Sequence, residues 1–318
     1  MLKKNFGKND LGLIFSVVTF ATLVVGLVAS FIAQIFSINS DSYALQLVLT
    51  ALNTLVIGSA AFISASISKT DVVAATKLKA TPPLSHIGWG CLATLFLITF
   101  MIPLNGWISE LIVAMGLPEP GVELEMDIVS MILLACVLPA FCEEIVFRGA
   151  ISGVLENNKN KLAALAISGA LFSLFHMNPA QTVHQFALGA FLALLYYRSG
   201  SLWTTVIVHF FNNIVVVILD AVAGEQVSAF FGSNAVWLFF VGLICFAGCI
   251  VGYLFTTKSK WQPEQSGEEE SKYGKSCLIL LFTAVGICAV MWVLTLVIPT
   301  DVEAETTTAL LRLFGGNL

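Results

Sequence analysis

The stretch Phe141-Cys142-Glu143-Glu144-Ile145-Val146-Phe147-Arg148-Gly149 decides how the chain is read. Two adjacent carboxylates and an arginine sit inside a long apolar run, and Ile128 to Ala140 just upstream carries no charge. A charged side chain at the centre of a bilayer costs roughly 2.5–3.5 kcal/mol on insertion scales. Such groups face a protein interior or a water-filled cavity, and by default they mark a functional site. Every other feature ranks by whether it can meet them.

Composition fixes the solvent around that stretch. Of 318 residues, 58% are hydrophobic and 11% charged, against about 25% charged in a soluble domain. The mean hydropathy is +0.91. The fold class expected is all-α: a polytopic bundle of about 8–9 spanning helices with the site inside it. The net charge of -5 comes without a basic stripe, so no nucleic-acid partner is expected. Seven cysteines are scattered through or beside apolar segments. Their odd number and spacing argue against a disulfide framework or a zinc motif, and they read as small core residues. Met1-Leu2-Lys3-Lys4 looks like the charged start of a signal peptide, but the apolar run Leu11 to Phe36 is too long for a cleaved one. It reads as a first spanning helix that stays.

Nine apolar segments follow by length, at about 11–36, 44–68, 88–114, 128–155, 162–177, 180–198, 202–220, 235–257 and 276–298. The fifth and sixth are short and meet at Asn178-Pro179, as a helical hairpin would. With the N-terminus cytoplasmic, 14 of the 15 Lys and Arg fall on the inside, Arg312 being the exception. The outside segments are acidic, with Glu119, Glu123, Glu125 and Asp127 in one loop and Asp301, Glu303 and Glu305 in the tail. Localisation in the cell membrane, with an inside N-terminus and an outside C-terminus, is the expectation. The loop Trp261 to Lys275 is polar and reads as flexible. An interfacial turn is expected around Leu310 to Phe314. The domain expectation is N-terminal helices over 1–122, a core over 123–222, and C-terminal helices and tail over 223–318.

Spacing sorts the polar groups. Glu144 and Arg148 are i,i+4 neighbours with the acid first, the favourable order. Glu143 lies about 100° around the helix and cannot share that face. It is left unpaired and suits a general base; a structural network in which both acids share the arginine is the bland alternative. Pro139 has no N–H for the carbonyl of Ala135, so an opening is expected one turn before Glu143. His176 ends the fifth segment. His209 and Asn213 are i,i+4 on the seventh and point one way. At about 1.5 Å per residue, Glu143, His176, His209 and Asn213 stand about 18, 21, 10 and 17 Å from the inner ends of their helices, close enough to share a site. His184, beside Gln181 and Gln185, is expected to bond to a neighbouring helix. His86 beside Pro82-Pro83 is expected to be solvated, and Trp203 interfacial.

Peptide hydrolysis needs an activated water and donors for the tetrahedral oxyanion. Glu143 with His176 could supply the first, and His209 with Asn213 the second. There is no HExxH motif. A zinc held by Glu143, His176 and His209 is the alternative, but asparagine is a poor zinc ligand and fits the oxyanion role better. A nucleophilic Cys142 is disfavoured because the charge of Glu143 opposes a thiolate.

The set Glu143-Glu144-xxx-Arg148, Phe172-xxx-His176 and His209-xxx-Asn213, in that order on separate helices, resembles the CAAX-protease and bacteriocin-processing (CPBP) family of intramembrane proteases. The resemblance covers about residues 125–220 and includes the type II CAAX prenyl endopeptidases. It implies an intramembrane endopeptidase in which Glu143 and His176 activate water, His209 and Asn213 bind the oxyanion, and Glu144 and Arg148 support them. Members are often called metalloproteases, yet this pattern looks like a glutamate-type site with no cofactor. The partners implied are membrane lipid and a membrane-associated or prenylated peptide or protein. Bacteriocin maturation and self-immunity also fit. A non-proteolytic immunity or peptide-binding protein using the same cavity is the other reading. A transporter with a proton-relay carboxylate would show repeats and broken helices in both halves, and the sequence shows neither.

Overall fold

In the computed structural model of the chain, residues 2–36, 43–118, 126–156, 158–261 and 274–297 are described. Apolar runs in this solvent can satisfy their backbone only as helices. Among the described residues, eight helices of 16 residues or more result: α1 Asp10–Ile35, α2 Tyr43–Ser68, α3 Leu84–Ala114, α4 Ile128–Leu155, α5 Lys161–His176, α6 Thr182–Ser199, α7 Leu202–Thr256 and α8 Lys275–Val297. Among the described residues no strand forms beyond a two-residue bridge between Lys3 and Thr70. Seven stretches of them are long and apolar enough to cross a membrane, so this is a multi-pass membrane protein. The α5 helix, with 16 residues, is shorter, and the continuous α6 helix carries His184, Gln185 and Arg198 near its ends.

The α7 helix is not one straight rod. Its 55 residues would span about 82 Å if straight. Yet Arg198, just before it, donates from Nη2 to the carbonyl of Thr257, just after it, at 2.8 Å. Both arms also lie on α3: Gly90 abuts Val208 of the first arm, and Trp89 abuts Gly252 of the second. The chain therefore reverses between the apolar stretches Leu202–Leu219 and Ala229–Thr256. The seventh and eighth expected spans are these two arms, joined without a loop.

The basic loops meet at one end of the bundle. Lys3 pairs its backbone with Lys69 and Asp71. Lys77 bonds Glu156 at 2.7 Å, and the indole of Trp261 donates to the Glu156 carbonyl. Ser201 donates to Ala80. At the other end the indole of Trp292 donates to Thr182 at 2.8 Å, and Thr295 donates to the carbonyl of Met177 at 3.1 Å. There Asp127 caps the start of α4 and accepts hydrogen bonds from Ser130 and Tyr43, which hold its carboxyl well below the usual range. The loop 262–273, the tail beyond 297 and the acidic residues 119–125 lie outside the described residues.

Small residues bring the helices close, as expected where apolar solvent gives no hydrophobic drive. Gly12 lies against the backbone of Cys277, joining α1 to α8. Gly169 and Gly189 touch across the α5–α6 hairpin, where a Cβ on Gly189 would stand 3.0 Å from both Gly169 Cα and Phe172 Cβ. All seven cysteines are free. One expectation fails. His86 is not solvated: it is buried in the first turn of α3, and its Nδ1 is 2.8 Å from the Tyr253 hydroxyl. The two prolines do not make a loop there, because Pro83 is the extended N-cap from which the helix starts.

Candidate active site

Four helices build the site, and α4 is the unusual one. It alternates α and π turns: Ile132–Val137 and Ile145–Ser152 are π-helical, and the α segment Leu138–Glu144 between them carries both acids. Such π insertions recur at functional sites. Pro139 opens that α segment and has no N–H to offer the Ala135 carbonyl. That carbonyl instead accepts from Asn213 Nδ2 at 3.1 Å. The opening read from the proline is thus where α7 docks.

The two acids separate as their helical spacing requires. Glu144 and Arg148 are wholly buried, with Nη1 donating to Glu144 Oε1 at 2.8 Å. His209 Nδ1 donates to that same oxygen at 2.8 Å. Arg148 Nη2 donates to the Gly189 carbonyl at 3.3 Å, and its guanidinium lies 4.2 Å from the centre of the Phe172 ring. Glu144 therefore serves two partners on two helices. Helical spacing alone gives it only Arg148.

Glu143 is buried but outside that network. It lines a cavity of about 20 Å³ together with His176, His209 and Asn213, enough room for one water. Glu143 Oε2 makes no hydrogen bond within the protein and lies 3.7 Å from His176 Nε2. His176 Nδ1 donates to the Phe172 carbonyl one turn back at 2.8 Å. That bond assigns the ring proton to Nδ1 and leaves Nε2 as an acceptor facing Glu143. His176 is the last residue of α5; Met177 follows in the left-handed region at φ 50°, its carbonyl held by Thr295 of α8. Among the described residues no three His, Cys, Asp or Glu side chains are grouped as a metal ion requires.

All four candidate catalytic residues and both supporting ones come together. Asn213 also settles which amide is anchored: Asn212 Nδ2 donates to Asn213 Oδ1 at 3.0 Å, turning the Asn213 Nδ2 toward Ala135. Cys142 is not a lining residue; it packs on Gly58 of α2. His184 sits 3.5 Å from Asn105 of α3, the inter-helix contact expected of it. Three further members were given no role of their own by spacing. Phe172 stacks between Arg148 and His176, with its ring 4.4 Å from the imidazole. Its place one turn before His176 was the available signal. Gln185 and Asn212 line the cavity and offered no signal beyond polarity at membrane depth.

Residues 125–215 match the family model described as Type II CAAX prenyl endopeptidase Rce1-like. A curated relative, "Putative membrane peptidase YdiL" of Bacillus subtilis (strain 168), is 26% identical over 133 residues, which is 41% of this chain and 54% of that protein. The match thus spans about half of the relative's length. The matched segment runs from the start of α4 into the first arm of α7 and contains every residue of the Glu143 cavity and of the Glu144 network named above. Over that segment, the chain is similar to the type II CAAX prenyl endopeptidases and to this membrane peptidase.

Proposed function

We propose that the protein is an intramembrane endopeptidase that cleaves a membrane-associated or lipidated peptide by a water activated between Glu143 and His176, with no metal. The observation that carries this is the pair of acceptors, Glu143 Oε2 and His176 Nε2, 3.7 Å apart on a water-sized cavity. Two acceptors facing one another are reconciled by a water that donates to both. As the water oxygen attacks the carbonyl carbon, Glu143 takes its proton and later gives one to the leaving amine. The developing oxyanion needs donors. Asn213 Nδ2 has a second hydrogen beyond the one given to Ala135. His209 donates from Nε2 when its ring carries both protons, with Glu144 as the counter-charge at Nδ1. A peptide is larger than the cavity, so binding has to part the helices around it. The end where the basic loops converge faces the cytoplasm on this reading, placing the N-terminus inside.

The experiment is purified protein in lipid vesicles, offered peptides with and without a C-terminal farnesylcysteine motif. Wild type is expected to cleave at least one class, and Glu143→Gln to lose roughly 10²–10⁴-fold in rate. Zinc chelators are expected to leave the rate unchanged. Cleavage that survives Glu143→Gln would sink the glutamate mechanism, and loss of activity on chelation would sink its metal independence.

A further inference from the structure

Gln185 stands in the wall of the same cavity with no part in the chemistry above. It is 5% exposed and lies on α6, one turn before the glycine that accepts from Arg148. Its Nε2 donates to Gln181 Oε1 at 3.3 Å. That bond fixes the amide and turns Oε1 the other way, and Oε1 accepts no hydrogen bond within the protein. A buried acceptor left unpaired costs stability unless a ligand or water meets it.

The donors and acceptors of the cavity say which ligand is missing. His209 and Asn213 are the donors for a carbonyl oxygen. Glu143 and His176 are occupied with the water. A peptide bond also carries an N–H on each neighbouring residue, and an extended backbone inside a membrane has no water to pair them. Two further acceptors in the wall have no hydrogen bond within the protein, Gln185 Oε1 and Asn212 Oδ1. Asn212 has the His184 side chain beside it as a donor, which leaves Gln185 Oε1 for the substrate. We infer that Gln185 accepts a main-chain N–H of the substrate next to the scissile bond, so that this subsite takes an extended peptide backbone. The inference rests on the endopeptidase reading.

The test uses full-length protein in vesicles and a quenched fluorescent peptide of the class that wild type cleaves. Each N–H within two residues of the scissile bond is replaced in turn by an ester oxygen. At one position the ester is expected to raise KM of wild type roughly 10-fold with kcat little changed, as loss of one hydrogen bond in uniform binding does. Gln185→Met is expected to show the same rise on the amide peptide and less than about a 2-fold further loss on that ester. Gln185→Glu, which keeps an acceptor oxygen, should retain the ester penalty. Equal ester penalties in wild type and Gln185→Met, or no penalty at any position in wild type, overturn the assignment. Those outcomes leave Glu143-dependent cleavage standing. Failure of wild type to cleave any peptide overturns the endopeptidase reading, and this assignment with it.

Discussion

Arg148 and Glu144 are the pair whose removal is best worked from the structure. Arg148 is wholly buried and has three contacts to lose: the Glu144 carboxylate at 2.8 Å, the Gly189 carbonyl at 3.3 Å and the Phe172 ring at 4.2 Å. Arg148→Met keeps the apolar volume and leaves Glu144 with His209 as its remaining partner. Removing one member of a buried pair costs about 3–5 kcal/mol, because the other charge stays uncompensated. Glu144→Gln should cost a similar amount, since it strands the guanidinium and loosens His209. If the two sites were independent, the double variant would lose about 6–10 kcal/mol, the two single costs added. Because both charges leave together, the double variant is expected near the cost of one single, a coupling of about 3 kcal/mol or more. Reversible unfolding of all four proteins in mixed micelles measures the cycle. Additivity within about 0.5 kcal/mol would mean that the two residues do not sense each other, and the buried network described here would be wrong.

Two further substitutions test how the site is held. Gly189→Val must push on Gly169 and Phe172, which stand 3.0 Å from an added Cβ; overpacking of this kind costs about 1–3 kcal/mol. It should also lower turnover by moving the Phe172 carbonyl that orients His176, and unchanged activity would show that this orientation is dispensable. Asn213→Leu removes an oxyanion donor and should cut kcat about 10²–10³-fold with KM little altered, read by initial rates on the vesicle substrate. A change in KM alone would assign Asn213 to binding instead.

Much of the fold and site was legible because helices announce themselves over three or four residues. The apolar runs placed the helices, the i,i+4 spacing paired Glu144 with Arg148, and Pro139 marked the carbonyl that α7 reaches. What spacing cannot carry is a partner far along the chain. The second ligand of Glu144 is His209, 65 residues away. His86 finds Tyr253 at a distance of 167 residues, and the polar label beside two prolines gave no hint of that burial. The π turns of α4 escaped for a different reason: their extra residue per turn is set by packing around the site, not by local side-chain preference. Helical phase placed Glu143 and Glu144 on different faces. Only the fold showed that one faces a water-sized cavity and the other ties three helices together.

The asymmetry of the two acids is the central claim, and peptides in living membranes test it most directly. Membrane peptides are compared by mass spectrometry between cells producing wild type, Glu143→Gln and Glu144→Gln at matched protein levels. The account expects a set of cleavage products present with wild type and absent with Glu143→Gln while that protein stays folded. It expects Glu144→Gln to lose products together with measurable stability. The same products persisting in the folded Glu143→Gln protein would contradict it.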